Sequence, residues 1–312
     1  MTGPDSFHTR GRALGAFLRW AGPLLPAGLM CLSACCARVP QATGGAVDSL
    51  RVMTFNIRHD EPADRDNAWP GRRDKVAGTI AFFRADVAGL QEVLAPQLRD
   101  LERLLPGYGW VGAGRDDGRQ AGEFNPVLYL KSRFRVIDSS TFWLSETPDR
   151  PSRGWDGACP RVVTWARLMD TRTGSEFTAF NTHFDHVGPR ARAESARLLL
   201  ARAAAIGGDH PAIVTGDFNC GREEEPYRIL VSGSGPAPVF EDARDLSRQP
   251  PYGSSYSFNG FSTAVPRGGP IDHIFVRGVS SVLRCGVISD FWDGRPASDH
   301  FPVFAEVRLA SR

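Results

Sequence analysis

From Leu50 onward the chain alternates short apolar runs with longer amphipathic ones, and the period of each run predicts its element. Residues 50–56 alternate in the two-residue period of a β-prone strand. Residues 72–83 place Val76, Ile80 and Phe83 at helical spacing, and residues 85–91 return as a buried strand. Pro96 suits the first turn of a helix, because its missing N–H is one that no intrahelical carbonyl would satisfy; Leu98, Leu101 and Leu105 then share one face. Residues 127–130, 161–169 and 177–181 read as further strands, Pro189 opens a long Arg- and Ala-rich helix, and residues 212–215 form a short apolar run that ends at Gly216. Strand, polar motif, helix, strand and second polar motif occur in residues 50–92 and again in 177–219, which implies one domain of two similar halves.

The first 34 residues follow another pattern. Arg10 and Arg12 precede an apolar stretch over residues 13–34, broken by Arg19, Pro23 and Pro26, that ends in Leu32-Ser33-Ala34-Cys35. Small residues before a cysteine resemble a bacterial lipobox. The resemblance implies a lipoprotein signal peptide over residues 1–34, cleavage before Cys35, and a diacylglycerol on that cysteine. The alternatives are an uncleaved anchor and an ordinary secretory signal; Arg19 disfavours a spanning helix, which needs about 20 predominantly apolar residues. Residues 35–47, rich in Pro, Gly and Ala, read as a tether, and residues 48–312 as one folded domain. The expected location is the cell envelope, exported and held to a membrane through the lipid on Cys35, on the periplasmic or extracellular face. A monomer is expected.

Charge and cysteine content narrow the partners. The 312 residues carry a formal charge of +2, and the leader's Arg10, Arg12 and Arg19 against Asp5 account for all of it. Without the leader the chain is formally neutral and lacks the basic excess by which most proteins hold nucleic acid, so nucleic acid is not a favoured partner. Of the six cysteines, Cys159, Cys220 and Cys285 lie in the domain proper, an odd set that gives no disulfide framework. Cys220, although it follows a polar motif, reads as a packed small hydrophobe.

Five polar motifs stand in order: Thr54-Phe55-Asn56-Ile57-Arg58, Gly89-Leu90-Gln91-Glu92, Asn181-Thr182-His183-Phe184-Asp185-His186, Gly216-Asp217-Phe218-Asn219, and Asp272-His273-Ile274-Phe275 with Ser298-Asp299-His300-Phe301-Pro302. Hydrolysis of a phosphate ester requires hard oxygen ligands for a cation, donors for the phosphoryl oxygens, and a group that directs water. The motifs supply all three. In this order they resemble the endonuclease/exonuclease/phosphatase superfamily, over nearly the whole of residues 48–312.

The resemblance implies an α/β fold, a four-layer α-β-β-α sandwich of two mixed β-sheets packed face to face with helices outside, and a magnesium-dependent phosphoric ester hydrolase, with manganese the alternative cation. It implies Glu92 as principal metal ligand, Asn56 giving an amide oxygen or orienting that carboxylate, and Asp299 completing the metal environment. His183 and His300 would contact phosphoryl oxygens, Asp217 and Asn219 would hold the attacking water, and Asp272 would hydrogen-bond His300. Asp217 and His300 both remain candidates for the base. Abasic-site endonucleases of the superfamily carry an acidic residue where this chain has Arg58, so a single metal is expected here. Arg58 is then a phosphate contact or a salt-bridge partner.

Further loops resemble a bacterial subgroup of the superfamily, including Asn67-Ala68-Trp69, Gly122-Glu123-Phe124-Asn125-Pro126 and Gly154-Trp155-Asp156. Trp69, Trp155, Phe258, Asn259 and Phe261 are candidates for a wall against a base or sugar ring. Arg161 reads either as a phosphate clamp or as a partner of Glu92 or Glu123. Asp185 and His186 either hold a sugar hydroxyl or leaving group or buttress His183. The expected reaction is hydrolysis of a phosphate mono- or diester on a metabolite, nucleotide, sugar or lipid headgroup. The alternatives are a secreted nuclease and a catalytically silent surface-binding lipoprotein.

Overall fold

In a computed structural model describing residues 49–233, 235, 239–264 and 268–310, the first apolar run becomes β1 (Ser49–Asn56). Its side chains alternate between two cores, with Leu50 and Val52 in one and Met53 and Phe55 in the other, as the pleat of a strand buried on both faces dictates. The leader, the Cys35 lipidation site and the tether lie outside the described residues.

The chain continues through α1 (Arg73–Phe82), β2 (Val87–Gln91), α2 (Ala95–Leu104), β3 (Tyr108–Val111), β4 (Val127–Leu130), β5 (Phe134–Trp143), β6 (Val162–Asp170), β7 (Glu176–His183), α3 (Pro189–Gly207) and β8 (Ala212–Asp217). It ends with α4 (Glu225–Ser232), the two-residue β9 (Glu241–Asp242) and β10 (Tyr252–Gly253), then β11 (Asp272–Arg277), β12 (Val279–Val287) and β13 (Val303–Leu309). A seven-stranded sheet runs β10-β12-β13-β1-β2-β4-β3 and a six-stranded sheet β5-β6-β7-β8-β11-β9. Both are mixed: β1 and β2 are parallel, as are β7 and β8, while β13 and β11 run antiparallel to β1 and β8.

Three apolar clusters define four layers. One lies between the sheets, joining Leu50, Val52 and Val87 to Phe177, Ile213 and Ile274. A second packs α1 and α2, through Val76, Ile80, Leu98 and Leu101, on the outer face of the first sheet. The third packs α3 and α4, through Ala196, Leu199, Leu200 and Leu230, on the outer face of the second. No helix of the described residues is long and apolar enough to cross a membrane.

The two-half reading takes concrete form here. Each half has a parallel strand pair joined by a helix, β1-α1-β2 and β7-α3-β8, flanked by an antiparallel strand. The carboxyl ends of β1, β2, β7 and β8 therefore meet the amino ends of β11 and β13 at one rim.

Just beneath that rim the sheets are stitched by polar side chains. Gln91 donates from Nε2 to Thr54 Oγ1 at 3.1 Å and to Asn181 Oδ1 at 2.6 Å, and Thr215 Oγ1 donates to the same Asn181 oxygen at 3.0 Å. Asn181 Nδ2 donates to the carbonyls of Leu90 and Pro126. Only glycine fits at Gly89, where a Cβ would collide with Thr215 Oγ1 and Asn181 Oδ1.

Candidate active site

Four of the five polar motifs stand where a buried strand runs out, and the fifth lies where β11 begins and where the chain enters β13. Three of the turns put a non-glycine residue in the left-handed region, Arg58 at φ 57°, Glu92 at 61° and Asn219 at 47°. Such backbone is costly for a residue with a Cβ and clusters at functional sites. Here it swings the side chains back over the rim.

The first sheet contributes Asn56 and Glu92, with Asp299 and His300 from the loop entering β13; the second contributes His183, Asp217, Asn219 and Asp272. The halves touch directly, because Asn56 Nδ2 donates both to Glu92 Oε1 at 3.0 Å and to Asp217 Oδ2 at 2.9 Å. Of the two roles expected for Asn56 the geometry shows the orienting one, since its Oδ1 accepts the Arg58 N–H at 3.0 Å.

His300 lies between two carboxylates. Its Nδ1 is 2.8 Å from Asp272 Oδ2 and its Nε2 is 3.6 Å from Asp217 Oδ2. Burial alone would discharge the imidazole, but the charges of Asp272 and Asp217 raise it well above the ordinary histidine value. Asp217 is pushed up to about 7 by burial and by Asp272. Its Oδ1 accepts the Asn219 N–H at 2.9 Å.

His183 is the opposite case. Burial, reinforced by the Arg161 charge, holds it well below the usual value, so the ring is neutral. Asn219 Nδ2 donates to its Nε2 at 3.0 Å, which places the proton on Nδ1, a buried atom without a protein partner. Asp272 Oδ1 is likewise buried and unpartnered.

Burial opposes the charge of Glu92, yet hydrogen bonds from His59 and Asn56 hold its carboxyl well below the usual range. His59 Nδ1 lies 2.8 Å from Glu92 Oε2, and the His59 N–H donates to the same oxygen at 3.2 Å. Burial raises Asp299, with His300 opposing. The Arg58 guanidinium pairs with Asp64 at 2.9 Å and comes within 3.9 Å of both Glu92 and Asp299. This makes Arg58 a salt-bridge partner at the carboxylate pair. Glu92 and Asp299 are hard anionic oxygen donors at the mouth of a cleft, a set that suits a divalent cation. Asp217, Asp272 and His300 also each offer a ligand atom within 4.8 Å of the others, but both ring nitrogens of His300 already face carboxylates.

The groups open on a cleft of about 490 Å³ that also reaches Arg58, Arg115, Glu123, Arg161, His186 and Phe258. Other expectations are corrected. Asn259 is buried and spent, donating to the Ser298 carbonyl at 3.1 Å and accepting the Phe261 N–H at 2.8 Å. Asp185 accepts backbone N–H groups of Ala158, Val187 and Gly188 and so braces its loop. Trp69 packs beside α1 and α2 with its indole N–H on Asp100, Phe261 lies under the Arg72 guanidinium, and Trp155 does not line the cleft. Cys220 is the packed small residue expected of it, a buried thiol in the α3/α4 core, pushed up to about 12 by burial.

Sequence reasoning missed His59, three residues beyond Asn56 in a charged run, and Arg115. It also missed Arg72, which is 1% exposed and donates to the carbonyls of Asn67, Ile57 (2.6 Å), Ala297 (3.1 Å) and Arg58 (3.2 Å). One guanidinium thereby ties the loop after β1 to the loop before Asp299.

A four-layer sandwich with paired carboxylates, amides and histidines gathered from both sheets at one rim defines a phosphoester hydrolase, of phosphatase or nuclease type. The chain belongs to the Endonuclease/Exonuclease/phosphatase family, whose model matches residues 53–300. It is 40% identical to a solved endonuclease/exonuclease/phosphatase from Bacteroides vulgatus, with a TM-score of 0.79 over 84% of this chain and 99% of that one. It is 36% identical to the Bacteroides thetaiotaomicron mannosyl-6-phosphatase Bt3783, with a TM-score of 0.78 over 83% of this chain and all of that one. Among curated proteins it is 21% identical over 283 residues to uncharacterized protein R895 of Acanthamoeba polyphaga mimivirus, spanning 76% of this chain but only 40% of that relative.

Proposed function

We propose that the protein is a divalent-cation-dependent phosphatase for a small phosphorylated molecule, a sugar phosphate foremost. The observation that carries this reading is the gathering, at one cleft, of the Glu92 and Asp299 carboxylates with the Asp217–His300 pair that Asp272 backs. Glu92 and Asp299 would hold Mg²⁺, or Mn²⁺ in its place, with Asn56 fixing the Glu92 carboxylate. When bound, the cation neutralises charge on the phosphoryl oxygens. His300, as an imidazolium, donates to a phosphoryl oxygen and stabilises charge that grows there. Neutral His183 offers its Nδ1–H, and Asn219 braces that ring.

Asp217 is the base in this reading, because His300 already carries its proton and a carboxyl near 7 is poised to accept one from water at neutral pH. Two observations favour a small substrate: the lack of basic excess in residues 48–312, where 33 basic residues face 34 acidic ones, and the 36% identity to a protein described as a mannosyl-6-phosphatase. Export and a lipid on Cys35 would present this site to substrate outside the cytoplasm.

The test is ester hydrolysis by the purified protein, read as phosphate release from mannose 6-phosphate, as alcohol release from a phosphodiester and as strand cleavage of DNA, each with Mg²⁺, Mn²⁺ or chelator. Turnover of the monoester, abolished by chelation and by Glu92→Gln or His300→Ala, is expected. Metal-independent turnover, or DNA cleaved in preference to monoester, would overturn the reading.

A further inference from the structure

The catalytic array leaves one wall of the cleft unused. Arg161, only 5% exposed, makes one hydrogen bond, from Nη2 to His186 Nδ1 at 3.0 Å, while its Nε and Nη1 are buried and unpartnered. Its nearest carboxylate oxygen, Asp185 Oδ2, is 3.6 Å from Nε and already accepts the Ala158 N–H. A buried guanidinium with free donors is expensive unless something accepts from it. Because Arg161 only donates, His186 Nδ1 must accept, which leaves the His186 proton on Nε2.

Beside it, Arg115 Nη1 meets Glu123 Oε2 at 2.5 Å, and Arg115 Nε makes no hydrogen bond, its nearest carboxylate oxygen being Asp116 Oδ1 at 3.8 Å. This pair sits on a braced loop: the Arg115 N–H donates to the Glu123 carbonyl at 3.1 Å, and Phe124 bridges to Val93 and Gly114. The groups share one neighbourhood, since Arg115, Glu123, Cys159, Arg161 and His186 all line the same cleft.

We propose that Arg115, Glu123, Arg161 and His186 form a subsite for the hydroxyl groups of the leaving alcohol, and thus that the substrate is a phosphorylated sugar or related polyol. The proposal rests on the phosphatase reading and adds to it the part of the substrate that is not phosphate. Charge decides between ligand classes. Arg115 is already paired with Glu123, and the buried Asp185 carboxylate lies 3.6 Å behind Arg161 Nε, so both cations are countered and a second phosphate would meet the Glu123 carboxylate in the lining. A hydroxyl both donates and accepts, and matches alternating carboxylate and guanidinium edges. Across the cleft Phe258, 44% exposed and 5.0 Å from the His300 ring between centroids, presents an apolar face to the carbon-bound hydrogens of a sugar.

The experiment compares mannose 6-phosphate with p-nitrophenyl phosphate, which keeps the phosphoryl group and lacks hydroxyls, in the wild type, Glu123→Gln and Arg161→Gln. Glu123→Gln preserves shape, and thermal unfolding of each variant checks its fold. The loss in kcat/KM on the sugar phosphate should exceed the loss on the aryl phosphate by tenfold or more, mostly through KM. Equal losses would make these residues part of the phosphoryl machinery or the fold, and no loss would make them bystanders; either overturns the subsite. If the wild type hydrolyses neither ester, the phosphatase reading falls instead. The subsite is then judged by calorimetric binding of mannose 6-phosphate, where binding weakened by Glu123→Gln supports it and unaltered or absent binding refutes it.

Discussion

Replacing Arg72 by methionine removes a cation that sits far from any solvent and touches no phosphoryl-binding group. The guanidinium serves four backbone carbonyls, Asn67, Ile57, Ala297 and Arg58, and stacks within 5.6 Å of the Trp69 ring centroid and 5.4 Å of that of Phe261. Burial lowers its pKa to about 10, so it stays charged at neutral pH. Each hydrogen bond to a charged donor contributes about 1.5–3 kcal/mol. The four do not add, because loops 57–58 and 297 would relax toward water and the desolvation of the cation would be relieved. A net loss of about 3–5 kcal/mol is the magnitude for a buried charged hub stripped of its partners' complement. With a urea m-value of about 3 kcal/mol/M, the midpoint should fall by roughly 1–1.7 M. Divalent-cation affinity measured by calorimetry should weaken in parallel, because the same guanidinium anchors the loops that carry Arg58 and Asp299. Arg72→Lys should recover only part of either property, since an ammonium cannot reach all four oxygens from one point. A midpoint within about 0.3 M of wild type, corresponding to under ~1 kcal/mol, would refute the assignment of Arg72 as the tie between these loops.

Asp272→Asn keeps the shape beside His300 but removes the charge that holds its proton, so the imidazole pKa followed by NMR should drop and turnover should fall by about 10²–10⁴; an unmoved titration would contradict the array. Turnover should rise with pH along a single-proton limb centred near 7 as Asp217 ionises, shifted downward by bound cation; a flat profile from pH 5 to 8 would exclude Asp217 as base. Linkage adds a stability signature: the folded-state pKa of Asp217 lies above its ordinary value, so its contribution is fully present below pH 4 and declines as pH rises to about 7. Gly89→Ala drives a Cβ into Thr215 and Asn181. It should destabilise by about 1–3 kcal/mol, visible as a Tm lowered by several degrees; an unchanged Tm would show that the seam has slack.

Much of the rim was legible because four of the motifs follow apolar runs that read as strands, and polar groups at buried strand ends have nowhere to go but the edge. The four-layer order came from resemblance, since periodicity does not say which strands pair. Residues 279–287 and 303–309 mix Ser, Arg and Glu with apolar positions and become strands only by pairing with each other and with β1. His59 and Arg115 escaped notice because loop conformation, not spacing, brings them to Glu92 and Glu123. Trp69 and Asn259 were misplaced for the converse reason: residue type alone does not separate a ring or amide spent on neighbours from one facing a cleft.

The bond from Asn56 on one sheet to Asp217 on the other carries an implication for how the enzyme fails. Each layer holds an incomplete kit, and only their spacing makes a working centre. Any solvent, pressure or heat that lets the layers slide will silence turnover while both sheets are still intact, so loss of catalysis should run ahead of loss of secondary structure and serve as a ruler for the gap between them.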